Sequence, residues 1–313
     1  MLALAAGWLV STAQAADALK IEKRTLAAKS PVYEIEAAYP RTGVKAIDAE
    51  LADWVEHAVA DFKQQADPDP DVPTGPWTLH IDYEVVRNDA QVFAVRFDDS
   101  TYTGGAHPSN DIRTFNYLRP DGQRLDLAQL LDGAKGLARL SQLVVADLTR
   151  QLEGPDAMTD VEWIRRGAGP DWANFENFLL LPDALRIEFP QYQVAAYAAG
   201  PQSVRIPLAA LRPVMRADWR APVASFDCAK AATPVEHAIC ADAALARLDR
   251  EVARVYAERL AGADAAADKQ AIRAAQRGWL GRRDAACKPA DAALGACLAD
   301  LYRTRLAELS ASR

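Results

Sequence analysis

The chain has 313 residues, of which 50% are hydrophobic and 25% charged, and its formal net charge is −7 at pH 7. This composition is typical of a globular protein long enough for two domains, and it excludes a disordered or fibrous chain. Residues 1–221 hold 22 Lys or Arg against 31 Asp or Glu, whereas residues 222–313 hold 14 against 12. An acidic surface repels nucleic acid and attracts basic partners, so no nucleic-acid partner is expected; solubility alone is the alternative explanation.

The N-terminal segment predicts export. An apolar run of about ten residues precedes Ala13-Gln14-Ala15, the small-x-small pattern that signal peptidase cuts, so residues 1–15 are predicted to be a signal peptide. The run is shorter than the roughly 20 residues of a membrane span, and an N-terminal anchor is the alternative. We expect a periplasmic or secreted protein with no membrane span after cleavage. Because the first charged residue is Asp17, a start upstream of Met1 stays open.

Residues 16–220 mix predicted strands and helices. Apolar residues recur at three- and four-residue steps in three segments, which predicts helices at 44–65, 125–131 and 136–152. Alternating segments predict strands at 32–37, 77–86, 91–97, 112–118, 184–189 and 203–208. A link rich in Pro and Asp follows the first helix at 66–76, and a hairpin turn is predicted at 87–90. This irregular order indicates an α+β domain rather than a regular βαβ fold.

The stretch Tyr102-Thr103-Gly104-Gly105-Ala106-His107 lies between two predicted strands. Adjacent glycines allow positive φ angles and a close approach of a second chain segment, which suits a strand connection and an anion-binding nest equally well. A phosphate loop is excluded, because neither a Gly-Lys-Ser/Thr ending nor a helix follows. We expect His107 to be a structural, hydrogen-bonding residue; in a catalytic site Asp98 and Asp99 would be its partners.

Residues 222–313 have a different composition and predict a small all-α domain. Thr233-Pro234-Val235-Glu236 has the form of a capping box with proline at the first helical position. After this helix start, an apolar stripe from Leu245 to Leu260 ends at Gly262. Two more stripes begin at Ile272 and Leu294, so we expect three helices. Further along, Arg282, Arg283 and Asp284 form either a solvated helix end or a recognition patch.

All four cysteines lie in this tail, which fits a small domain stapled by two disulfides in an oxidising compartment. Four cysteines permit three connectivities, of which Cys228 with Cys240 and Cys287 with Cys297 requires the least chain travel. Zinc ligation is the alternative. Zinc sites favour shorter cysteine spacings than these, so we expect no metal.

The tail resembles the LprI-type lysozyme-inhibitor domain family over about residues 226–310. The resemblance rests on an ordered set of residues: the four cysteines, Glu236, Leu248-Asp249, Tyr256, Gln276, Trp279-Leu280, Arg283, Tyr302 and Arg305. It implies an exported helical module, with inhibition of lysozyme as the activity for which the family is named.

The preceding region resembles the extracytoplasmic domain family shared by RsiV and PdaC. The matching residues are Tyr102-Thr103-Gly104-Gly105-Ala106-His107, Asn177-Phe178, Phe189, Tyr192, Tyr197-Ala198-Ala199-Gly200 and Ile206-Pro207. Relatives often have glycine after the motif histidine, where this chain has Pro108. The RsiV-like occurrence implies direct binding of lysozyme, and the PdaC-like occurrence implies an envelope module beside an enzyme. Neither implies catalysis by the domain itself.

No complete catalytic set is visible in the sequence. His57, His80 and His237 are scattered without His-x₃-His spacing, and no Gly-x-Ser-x-Gly nucleophile elbow occurs. The cysteines are better used as disulfides than as nucleophiles. We therefore expect a non-catalytic protein without a cofactor.

Four aromatic residues need a structural interpretation. Trp54 and Trp279 lie on apolar stripes and are predicted to be core residues, because large aromatics mainly provide buried area. Tyr192 and Tyr197 either line a binding surface or are buried rings with satisfied hydroxyls.

The sequence thus predicts three segments: a signal peptide at 1–15, an RsiV/PdaC-like α+β domain at 16–220 and an LprI-like helical domain at 222–313. The predicted function is binding or inhibition of lysozyme-type muramidases at the cell envelope, with a peptidoglycan-binding or peptidoglycan-modifying accessory protein as the alternative. The predicted binding residues are Tyr102, Thr103, Gly104, Gly105, His107, Tyr192, Tyr197, Arg282, Arg283 and Asp284.

Overall fold

The computed structural model describes residues 18–66, 76–154, 160–217, 219–220, 224–226, 228–263, 265–287 and 294–311. The predicted signal peptide and most of the predicted link at 66–76 lie outside these residues. The chain forms two compact units, Met1–Arg216 and Ala217–Arg313. Within the described ranges, none of the helices combines the length and the apolar character that a membrane crossing requires.

The first unit contains a six-stranded and a three-stranded sheet. In the larger sheet the strands lie in chain order: β1 Glu22–Lys29, β2 Tyr33–Arg41, β3 Trp77–Asn88, β4 Val92–Tyr102, β5 Ser109–Leu118 and β6 Gln123–Arg124. The smaller sheet has β7 Phe178–Leu180, β8 Ala184–Phe189 and β9 Gln202–Pro207. Neighbouring strands are antiparallel, except that β2 and β3 are parallel.

The helices of the first unit are α1 Lys45–Gln65, α2 Leu127–Leu130, α3 Gly133–Leu152, α4 Val161–Gly167 and α5 Leu208–Leu211. Helix α1 connects the two parallel strands, since a parallel pair needs a crossover. Its buried stripe of Ile47, Leu51 and Val55 packs on the larger sheet. Trp54 lies over Phe97 with ring centroids 4.8 Å apart, as its predicted core position requires.

Polar side chains join the two sheets. The buried Asn116 of β5 donates from Nδ2 to Phe178 O at 2.7 Å and accepts from Leu180 N at 2.8 Å. Glu188 of β8 is buried and forms ion pairs with Arg96 of β4 and Arg186 of β8. The mixed sheets and packed helices confirm the α+β prediction.

The second unit is all-helical, with α6 Pro234–Ala241, α7 Ala243–Gly262, α8 Ala266–Ala286 and α9 Leu294–Ala311. The predicted capping box at Thr233 and Glu236 is present. The expectation of three helices is wrong, because the helix that begins at the capping box ends at Ala241 as α6, before the apolar stripe from Leu245 that lies in α7. Asp242 accepts hydrogen bonds from Ala244 N and Leu245 N, so it ends α6 and caps α7.

Two disulfides join segments of this helical unit, the first reaching α6 and the second linking the end of α8 to α9, and both predicted pairings are confirmed. Cys228 is bonded to Cys240, and Cys287 to Cys297, each with a Cα–Cα distance of 5.8 Å. The predicted core position of Trp279 is also confirmed, since this side chain is buried against Tyr302.

Candidate functional site

The Gly-Gly stretch forms the turn between β4 and β5, so the predicted strand connection is confirmed. Gly104 has a φ of 85°, in the left-handed region that favours glycine. Gly105 lies in more open space, where an added Cβ would meet only His107 O at 4.0 Å. Thr103 on this turn is exposed, and Tyr102 at the end of β4 is partly buried.

His107 is exposed, and its ring stacks on Tyr197 with centroids 3.8 Å apart and an interplanar angle of 22°. Its Nδ1 lies 3.0 Å from Pro108 O. The two candidate partners of a catalytic histidine are engaged elsewhere, because Asp98 pairs with Arg96 and Asp99 accepts from Thr101 Oγ1 at 3.2 Å. The structural role of His107 stays a prediction.

Amide side chains hold Tyr197 in place below the histidine. Asn110 Nδ2 donates to Gln191 Oε1 at 2.9 Å and to the Tyr197 hydroxyl at 3.4 Å. Gln191 Nε2 donates to Tyr197 O at 3.1 Å, and the Tyr197 hydroxyl donates to Pro108 O at 3.1 Å. The start of β5 and the segment after β8 are thereby joined.

Tyr192 extends the same aromatic surface. Its ring lies 5.6 Å from that of Tyr197, and 56% of the residue is exposed, so the expectation of a buried ring is wrong for this residue. Its φ is 70°, in the left-handed region that side chains rarely adopt. We call the three rings of His107, Tyr192 and Tyr197 the aromatic shelf.

Helix α4 fixes the backbone of the shelf. Trp163 Nε1 donates to Tyr192 O at 3.0 Å, and Gln193 Nε2 donates to Gly167 O at 2.8 Å. A Cβ at Gly167 would stand 1.9 Å from Gln193 O, so only glycine permits this approach.

Two carboxylates lie opposite each other on β4 and β5, since Asp99 and Asp111 are register partners. Burial raises the pKa of the Asp99 carboxyl to about 6, the Thr101 hydroxyl opposes this rise, and the charge of Asp111 adds to it. The pair does not extend to a metal centre: over the described ranges, no three His, Cys, Asp or Glu side chains lie close enough to hold a metal ion.

In the helical unit, Arg283 is a buried residue of α8 rather than part of an exposed patch. Its Nη1 donates to the Tyr302 hydroxyl at 2.8 Å, which donates to Asp249 Oδ1 at 2.7 Å. Burial, and next the charge of Asp249, raise the pKa of Tyr302, so the hydroxyl stays protonated and donates. Of the three residues predicted here as a recognition patch, Arg282 and Asp284 are exposed.

A second buried arginine supports the same helices. Arg305 of α9 donates from Nη2 to Gln276 Oε1 at 3.0 Å, and its guanidinium lies 5.8 Å from the Trp279 ring centre. Arg283 lies 5.6 Å from that ring. Arg283 and Arg305 are therefore part of the core of this unit.

Sequence reasoning missed several residues of these sites. Asn110 lies three residues after His107 of the glycine motif, and a β4–β5 hairpin register would have placed Asp111 opposite Asp99. Gln191 adjoins the predicted Tyr192. Trp163 lies 29 residues from its acceptor, and no local pattern indicates that contact.

Comparison with known proteins identifies three segments of the chain. A family model described as deacetylase PdaC matches residues 26–110, a protein family of unknown function, DUF3298, matches 130–209, and lysozyme inhibitor LprI matches 228–309. The PdaC-like and LprI-like resemblances are thus confirmed. None of these matches names RsiV, so that label stays a prediction.

Two curated relatives share these segments. The chain is 27% identical over 201 residues to the peptidoglycan-N-acetylmuramic acid deacetylase PdaC of Bacillus subtilis. The aligned stretch covers 64% of this chain and 42% of that protein. It is 36% identical over 86 residues to lipoprotein LprI of Mycobacterium bovis, which is 28% of this chain and 41% of that protein. The chain therefore spans about two fifths of the length of the curated relatives it matches.

A solved structure of a DUF3298 family member from Bacteroides fragilis aligns with a TM-score of 0.45 at 16% identity, covering 64% of this chain and 95% of that one.

Proposed function

We propose that this protein binds, and thereby inhibits, lysozyme-type muramidases at the cell envelope. The observation that carries the proposal is the match of residues 228–309 to the lysozyme-inhibitor family. The two disulfides support a periplasmic or secreted location, because such bonds persist in oxidising compartments. For fragment design we keep the predicted domain limits of 16–220 and 222–313.

Charge supports this choice of partner. Muramidases of the lysozyme type are typically basic, whereas residues 1–221 carry more acidic than basic side chains. Attraction of this kind raises the association rate, and salt screens it over a Debye length of about 8 Å at physiological ionic strength. Inhibition also requires a segment that blocks the glycan cleft. We propose the exposed turn between β4 and β5 and the segment 281–292, part of which lies outside the described residues.

The test measures whether the full chain slows lysis of a cell-wall suspension by c-, g- and i-type lysozymes, together with direct binding at low and high salt. Replacing Arg282 by alanine should weaken binding if the tail makes the contact. Arg273→Ala, another exposed change on α8, is the matched control. Fragments 16–220 and 222–313, once verified as folded, assign the activity to one unit. If no lysozyme class binds at low salt, the proposal fails.

The second candidate is a peptidoglycan-binding or peptidoglycan-modifying accessory protein. It is favoured by the similarity over 201 residues to a deacetylase whose name gives peptidoglycan as its substrate. We propose a non-catalytic role, because in the described part of the chain the His107 ring nitrogen faces the Pro108 carbonyl rather than a carboxylate that would orient it as a base. Turnover of peptidoglycan or acetylated glycan by the wild type, lost in His107→Ala and in Asp99→Asn, would instead establish an enzyme.

A further inference from the structure

We propose that the aromatic shelf binds a polysaccharide strand by stacking against the C–H face of a pyranose ring. This proposal deepens the peptidoglycan-binding alternative and does not depend on muramidase binding. A pyranose has an apolar face and a rim of hydroxyl and substituent groups. A site that binds it therefore needs an aromatic ring face with polar groups beside it. The structure places both together.

The first supporting observation is the strained backbone at Tyr192. Its φ of 70° carries a cost that persists only where the surroundings impose it. Here they do so through the hydrogen bond from Trp163 Nε1 to Tyr192 O and through the close approach of Gly167 to Gln193. The result is a large ring presented to solvent on a rigid support, although burial would stabilise the fold more.

The second observation is the polar rim. The Asn110 and Gln191 amides bond to each other and to Tyr197 beside the rings. In the described part of the chain Asn110 Oδ1 accepts no hydrogen bond, which leaves it available to a sugar hydroxyl or an acetamido N–H. The side-chain hydrogen bonds that hold Tyr192 and Tyr197 come from the Trp163 indole and from the Asn110 and Gln191 amides.

The third observation is the small size of the apolar surface. Among the described residues, the large hydrophobic side chains with substantial exposure are Tyr192 and Val161. A specific protein interface covers about 800 Å² on each partner and has an apolar centre. The exposed Tyr192 ring and the imidazole that stacks on Tyr197 match one or two sugar rings instead.

The experiment measures co-sedimentation of the full chain with purified peptidoglycan, and titration with a soluble β-1,4-linked N-acetylglucosamine oligomer followed by protein fluorescence. Tyr192→Asn removes the ring, and asparagine tolerates the left-handed backbone, so folding should be retained. Tyr192→Phe keeps the stacking face. Val161→Ala is the control for loss of exposed apolar area, and thermal unfolding verifies each variant.

We expect Tyr192→Asn to weaken binding of both probes about tenfold, and Tyr192→Phe and Val161→Ala to change it less than about twofold. The proposal is overturned if the wild-type protein binds neither probe. It is also overturned if Tyr192→Asn binds the probes as tightly as the wild-type protein does. A Tyr192→Asn variant that loses lysozyme binding but keeps glycan binding identifies the shelf as a muramidase contact instead. Lysozyme binding measured without glycan tests the muramidase proposal separately.

Discussion

The two units of this chain achieve a defined fold by different means. The first buries a continuous apolar core of strands and helix, in which Phe93, Phe97 and Phe115 are almost fully buried. The second is smaller and buries three charged side chains, Asp249, Arg283 and Arg305, where the first buries Glu188. Two disulfides join its segments.

This difference follows from size. The fraction of surface buried on folding falls as a domain becomes smaller, so a short helical unit gains less from hydrophobic burial and often needs covalent staples. Its buried ions must then be paired, since an isolated buried charge is costly. Stability should therefore respond to apolar truncation in the first unit and to reduction or loss of a hydroxyl in the second.

The largest effect is expected from Phe97→Ala. The ring is fully buried between Trp54 at 4.8 Å and Phe115 at 5.7 Å, so its removal leaves a cavity and should cost about 3–5 kcal/mol. Differential scanning calorimetry should show the transition of the first unit shifted while that of the second stays in place. Leu26→Ala, at a half-buried position of β1, is the control. Equal shifts for Phe97→Ala and the control would contradict the assigned core.

Removing the disulfides should produce the next effect. Each bond closes a short loop, with sequence separations of 12 and 10, and should contribute about 3 kcal/mol in the chain-entropy model. A reductant, or serine at Cys228 and Cys240, should lower the transition of the helical unit. The first unit holds no cysteine and provides the internal control. Peptide mapping that joins Cys228 to Cys287 or Cys297 would contradict the pairing.

Asp99 should give the first unit a characteristic pH dependence. Because burial raises its pKa from 3.8 to about 6, the folded state binds the proton more tightly than the unfolded state. The stabilising contribution of Asp99 to the free energy of unfolding is therefore fully present below about pH 4 and is lost as pH rises through about 6. Asp99→Asn should flatten this decline and raise the free energy of unfolding at pH 7 by up to about 3 kcal/mol. Chemical denaturation across this range measures it.

The control for that experiment is Asp98→Asn, on the opposite face of the same strand, which should keep the decline caused by Asp99. A flat wild-type profile between about pH 4 and 6 would contradict the assignment.

Tyr302→Phe should have the smallest effect. Loss of the hydroxyl leaves Asp249 Oδ1 and Arg283 Nη1 without their shared partner, at a cost of about 1–2 kcal/mol in the helical unit. Tyr256→Phe, on a half-buried ring of the same unit, should change stability by less than about 0.5 kcal/mol. Urea denaturation of both variants compares them, and equal values would argue against the buried network.

The spacing of apolar residues predicted the long helices and strands well. It failed where an element is defined by its partner strand or by a capping residue. The predicted strand at 184–189 coincides with β8, and the predicted helix at 44–65 differs from α1 by one residue. Strand β1 has no clear alternation because most of its side chains are exposed, so its pairing with β2 defines it. Likewise, Asp242 separates the helix that begins at the capping box from the helix that carries the stripe from Leu245, and no apolar period marks that break.

The candidate sites were harder to predict than the fold. The position of Arg283 depends on Tyr302 and Asp249. The hydrogen bond from the Tyr302 hydroxyl to Asp249 joins residues that are 53 positions apart in the sequence. A charged residue near a helix end is ordinarily exposed, and no local pattern predicts such distant partners. The exposure of Tyr192 arises from its left-handed backbone, which no side-chain period encodes. The disulfides were predictable because their partners are close in sequence.

The chain order of the strands in the six-stranded sheet has a kinetic consequence. Each strand pairs with the one that precedes it along the chain, so pairing never requires a strand to wait for one formed much later. The longest connection between paired strands is the one that carries α1, and the entropy cost of closing a loop grows only slowly with length. Contacts that are local in sequence favour rapid folding. We therefore expect the β1–β2 pair and the β3–β6 strands to form first as local antiparallel units, and the parallel β2–β3 pairing around α1 to join them in the slowest step.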